Sequence, residues 1–120
     1  MQLADIQLLL KSEIELIEQV DLLECIQQHL IEPRCEKREW DYGEQGQAYP
    51  CWICLEDQDS NSAVAYCAEG FGPADPWGLL FLNGKHTSMG MDSGWFISLE
   101  QAVRGSVFWD GENPDDYKVE

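Results

Sequence analysis

The stretches YPCWICLED (49–57), SAVAYCAEGFGPADPWGLLFLNG (62–84) and SMGMDSGWF (88–96) hold most of the aromatic residues and most of the glycines of the chain. Each carries a β-like run, and turn signals separate the runs, which predicts a small antiparallel sheet. Residues 48–56 form one strand, and the polar cluster DQDSN (57–61) turns the chain. Residues 62–68 and 77–82 are the next two strands. Asn83-Gly84 is a hairpin signal, so a short fifth strand is expected at 86–89. Upstream, residues 34–42 read as the first strand, ending in a turn at Gly43, Glu44, Gln45 and Gly46. Trp40 and Tyr42 are spaced to share one face of it. Trp40 is expected in the core, between the sheet and a helix.

Helical patterns flank this region. Residues 1–11 carry a short apolar run that leans towards helix. Ser12 with Glu15 matches a capping box and marks a helix start. Ile14, Leu16, Ile17, Val20, Leu23, Ile26 and Leu30 then follow helical spacing as a broad stripe suited to lying across a sheet. Asp21 with Glu24 repeats the capping pattern, so a break near Val20 is expected. Pro33 should end the helix, because the residue before proline avoids the α region. A short C-terminal helix starts at Ser98, with Gln101 at the capping position and Gly105 as its C′ residue. The fold class is therefore α+β. A single domain of 1–120 holds a helical segment (1–33), a four- to five-stranded, mainly antiparallel sheet (34–96), a short helix (98–105) and an acidic tail (110–120).

A chain of 120 residues buries roughly two-thirds of its unfolded surface, enough for one real core. Its 23 Asp and Glu against 7 Lys and Arg leave a net charge of -16. That balance argues against nucleic acid and anionic membranes, and for a basic partner or divalent cations. No run reaches the roughly 18 apolar residues of a membrane span. The N-terminus has no basic n-region or small-residue cleavage site, so it does not read as a signal peptide. The five cysteines are an odd number, which fits reduced thiols and a cytoplasmic location.

Catalytic signals are sparse. Cys51 and Cys54 match C-x-x-C but sit in a strand, where residues three apart point to opposite faces. They read as small packed hydrophobes, and all five thiols are expected free and without metal. The alternative is a metal-binding or thiol-dependent enzyme using Cys51, Cys54, Cys67 and His86. Its widest metal set would add Cys35, although no second cysteine pair completes a zinc knuckle. His29 reads as a surface or interfacial residue of the first helix. Gly70-Phe-Gly-Pro lacks the lysine and following helix of a phosphate loop. DQDSNS lacks the glycine and terminal glutamate of an EF-hand loop. No catalytic residue, cofactor or metal is assigned.

Two constrained loops, EGFGPADPWG (69–78) and MDSGWF (91–96), could plug the core or present aromatics on a rigid backbone. Combined with the acidic surface, they supply the candidate contact residues for a protein partner: Asp57, Asp59, Glu69, Phe71, Asp75, Trp77, Asp92 and Trp95. YPCW, AYC, GFGP, PWGL and MDSGWF, followed by SLEQA, resemble a group of small acidic bacterial proteins over residues 34–110. That family pattern carries no catalytic residues to transfer. By size and charge alone the chain is also similar to immunity proteins of bacterial toxin systems. The resulting expectation is a cytoplasmic inhibitor of a basic protein, with a toxin domain such as a nuclease as the leading partner. A self-associating structural subunit is a further alternative.

Overall fold

The computed structural model describes residues 2–42, 44, 46–72, 74–90, 92–109 and 111. Apart from Gly111, the acidic tail expected at 110–120 lies outside them. Helix α1 spans Leu3–Glu15 and α2 spans Val20–His29. Five strands follow: β1 (Leu30–Glu39), β2 (Ala48–Asp57), β3 (Ser62–Tyr66), β4 (Trp77–Phe81) and β5 (Trp95–Phe96). Helix α3 spans Leu99–Arg104. The strands pair antiparallel in sequence order, a meander with β1 and β5 at its edges. The α+β reading holds, with the helices on one side of the sheet.

That side is the larger core. Ile6 and Leu10 of α1, Leu22 and Ile26 of α2, and Leu99, Ala102 and Val103 of α3 pack on Cys54, Leu55, Val64, Trp77 and Phe96. The opposite face carries a second cluster of Cys51, Ile53, Ala63, Ala65, Cys67, Leu80, Met89 and Trp95. The register of β2 shifts between Ile53 and Leu55. Such a bulge lets Cys54 and Leu55 both face the helices. Cys51 and Cys54 thus lie on opposite faces, as strand alternation requires.

The second face is closed by the chain between β4 and β5. Arg38, buried on β1, donates to the carbonyls of Phe81 at 2.8 Å and Thr87 at 2.7 Å. Met89 N–H donates to Glu39 O at 2.9 Å, and Asp41 Oδ2 accepts from Ser88 and Gly90. Trp95 lies over Gly78, where an added Cβ would run into its ring, and its Nε1 donates to Met89 O at 2.8 Å.

Several elements differ from expectation. Ser12 does not start a helix. It lies inside α1, its hydroxyl on Leu8 O, because buried Ile6 and Leu10 extend the packed face through the first segment. The break expected near Val20 is present: the helical stretch breaks at 16–19, and α2 starts at Val20 with Gln19 in extended conformation as N-cap. The chain leaves α2 at His29, and Pro33 lies within β1. There it is buried on an edge strand at a register shift between Leu30 and Arg34, a position that needs no ladder N–H. Trp40 follows β1 and is half-buried on the face away from the helices, against Tyr49 and Phe71. It is not shared with a helix. The fifth strand is Trp95–Phe96 and not 86–89. Gly105 caps α3 in right-handed conformation, and the small residue there suits the close Phe96 ring, 3.1 Å from a built Cβ. Ser98 does cap α3, accepting from Gln101 N–H.

Candidate functional site: an acidic, aliphatic corner

The residues expected to meet a partner fall at two ends of β3. Asp57 and Asp59 lie at the turn before it, and Glu69, Phe71 and Asp75 in the loop after it. Trp77 and Trp95 are only 1% and 2% exposed and belong to opposite cores. Asp92 opens a 3-10 turn (Asp92–Gly94), its side chain lying outside the description. Phe71 is half-buried, stacked between Trp95 and the edge of Tyr42, with ring centres 5.8 and 5.6 Å away. Tyr42 is exposed, as are Glu69 and Asp75. This end therefore keeps an aromatic surface, but without the two tryptophans.

The thiol and histidine set is dispersed. Cys51 and Cys67 share the second cluster, Cys54 lies in the helix-side core, Cys35 is exposed, and His86 is exposed beyond β4. Burial pushes the Cys54 thiol up to about 12. Among the described residues no group of three His, Cys, Asp or Glu could hold a metal ion.

A different group contains His29. Its Nδ1 lies 3.9 Å from Cys25 Sγ, and its Nε2 lies 3.7 Å from Asp57 Oδ1. The order Cys, His, Asp resembles a nucleophile relay, but the hydrogen bonding runs the wrong way. His29 Nδ1 is 2.7 Å from the Cys25 carbonyl, which only accepts, so that nitrogen carries the proton and cannot take one from the thiol. The thiol lies 3.7 Å from Phe108 O, and the His29 ring stacks on Phe108 at 4.6 Å. The group ties α2, the β2–β3 turn and the chain after α3 together. The i, i+4 spacing of Cys25 and His29 was its visible trace in the sequence.

One departure from ordinary burial is at the α1–α2 corner. Leu16 is 73% exposed, Val20 65% and Ile97 62%. Glu13 links the end of α1 to the start of α3. Its carbonyl accepts from Leu16 N–H, and its carboxylate accepts from Leu99 N–H at 2.9 Å, two residues after Ile97. Glu15, Glu18 and Asp21 are exposed on the same connection. Scattered exposed aliphatics are ordinary; these three belong to the α1–α2 connection and the start of α3, which Glu13 links, and exposed carboxylates flank the connection. A second apolar surface, around Phe81 and Val107, is lined by Ser62, Leu79, Leu80 and Ser106, none of them charged. No helix among the described residues is long and apolar enough to cross a membrane. Comparison with protein-family models, curated proteins and solved structures finds no match to this chain.

Proposed function

We propose that this chain is a small acidic binding module of immunity type that neutralises a basic protein, with a bacterial toxin domain as the leading partner. The observation that carries the reading is the corner where Leu16, Val20 and Ile97 stand exposed among Glu15, Glu18 and Asp21. Apolar side chains at the centre of an interface hold a complex together, while rim charges set approach and orientation. The net charge of -16 adds long-range attraction for a cationic surface. The same reading puts the module in the cytoplasm, where the five cysteine thiols stay reduced.

The test is binding to a basic protein encoded beside this chain, followed by surface plasmon resonance. Leu16→Ala with Ile97→Ala is expected to speed dissociation at least tenfold and leave the fold intact, since both side chains are exposed. Glu15→Gln with Glu18→Gln and Asp21→Asn is expected to slow association, with the difference vanishing at high salt. Phe71→Ala is the control at the aromatic end. Loss of binding there, with the corner variants unaffected, would move the contact to the β3–β4 loop. A chain that binds no basic protein at any salt concentration is not an inhibitor of this kind.

A further inference from the structure

We propose that Cys67 is an oxidation site for small hydroperoxides and that Cys51 is its resolving thiol, the two closing a reversible disulfide between neighbouring strands. The placement comes from register. Trp52 lies opposite Tyr66, so the next position along both strands sets Cys51 opposite Cys67. Cys67 keeps the geometry of β3, since on the β4 side its N–H donates to Pro76 O at 2.8 Å. Both side chains enter the same cluster, at 0% and 1% exposure, where the Cys51 thiol lies 3.7 Å from Tyr49 O and the Cys67 thiol 3.5 Å from Glu69 O. Opposite positions on antiparallel strands hold Cβ atoms about 4.5–5.5 Å apart, against about 3.5–4.5 Å in a disulfide. Closure therefore asks only a small strand shift. Cys54, the other half of the C-x-x-C motif, is on the far side of the sheet and cannot take part.

The two sulfurs are not equivalent. The neighbouring Cys51 thiol lowers the Cys67 thiol below its ordinary range, against the effect of burial. Cys67 in turn, together with burial, raises Cys51. The thiolate is the attacking form, so Cys67 reacts first. Cys67 also begins the 67–76 loop, where among the described residues two turn bonds are long: Gly72 N–H to Glu69 O at 3.4 Å and Asp75 N–H to Gly72 O at 3.3 Å. Ala68 and Glu69 beside it are exposed. Local opening at this end of β3 brings Cys67 to a reagent the size of hydrogen peroxide.

The Cys67 thiolate attacks one peroxide oxygen and the O–O bond breaks. The leaving oxygen takes a proton and departs as water or an alcohol, and the sulfur becomes a sulfenic acid. The Cys51 sulfur then attacks that sulfur. The S–O bond breaks, and the hydroxyl leaves as water with the Cys51 proton. One hydroperoxide is reduced by the two electrons that the thiols lose.

The test uses the full chain with Cys35→Ser, which removes an exposed thiol outside the pair. Folded protein exposed to a small excess of hydrogen peroxide is expected to lose the mass of two hydrogens and to yield a linked 51–67 peptide. Its Tm should rise by on the order of 10 °C, reversibly with dithiothreitol, because the bond closes a loop of about 15 residues. Cys51→Ala should stop at a sulfenic acid that dimedone captures on Cys67, and Cys67→Ala should abolish both products. The proposal is overturned if the four remaining thiols stay titratable, if the bond joins other cysteines, or if it forms only in urea. Mass and melting are read without any partner, so this outcome is independent of the binding reading.

Discussion

Trp77→Ala is expected to destabilise the fold by about 3–5 kcal/mol, a large share of the roughly 5–15 kcal/mol that holds a domain of this size. Trp77 is 1% exposed and pairs in register with Tyr66 on one side and Phe96 on the other. Its ring meets the Tyr66 ring edge-on at 5.0 Å, and the surrounding cluster brings together α1, α2 and α3. Truncation would leave a cavity that three helices and two strands cannot close together. Urea unfolding followed by circular dichroism measures the loss. A value below about 1 kcal/mol would place the ring outside the core. The conserving variant Trp77→Phe should recover much of the loss by filling most of the volume. This result would also fix the role of the loop 69–78. Its last aromatic closes the core, and any contact with a partner falls to Phe71 and its neighbours.

The sheet was legible because its signals are local. Alternation and turn residues placed β2, β3 and β4 to within two residues at either end, and strand geometry separated Cys51 from Cys54. The Ser98 cap was readable for the same reason. Failures came where a distant residue decides. Asn83-Gly84 signals a hairpin, but Asn61 holds that corner. Asn61 adopts a left-handed backbone, and its side-chain amide donates to Asn83 O at 2.6 Å and accepts from Asn83 N–H at 2.9 Å. The chain is thereby fastened to the β2–β3 turn and runs back across the sheet without pairing locally. The corner was hidden in another way. Leu16 and Val20 fit the same helical stripe as the buried Ile17, and only the break at 16–19 turns them out. Periodicity alone does not place such a break. The Glu13 bond to Leu99 N–H, spanning most of the chain, is what fastens the end of α1 there.

Arg38 is where the closure of the second face is most exposed to mutation. It is 6% exposed in a chain whose other described charges lie mostly at the surface, and it reaches two carbonyls that β1 would not otherwise meet. Glu36 pairs with it at 2.9 Å. The Glu36 carboxyl is held below its ordinary value first by Arg34 and also by Arg38, against burial. Arg38→Met keeps most of the side-chain volume and removes the donors. The expected loss is on the order of 3 kcal/mol, since each carbonyl left without a donor away from water costs about 1–3 kcal/mol. Arg34→Met is the comparison. Arg34 bonds to Glu56 and Glu36, but its side chain is 42% exposed, so its loss should cost under about 1 kcal/mol. A second readout separates a local effect from a global one. Met89 N–H, bonded to Glu39 O, should exchange with deuterium much faster in Arg38→Met, while the Val64 and Ala65 amides of β3 should speed up only as far as global stability falls. Equal losses from the two arginines, or an unchanged Met89 amide, would mean that packing of Met89 and Trp95 alone closes that face.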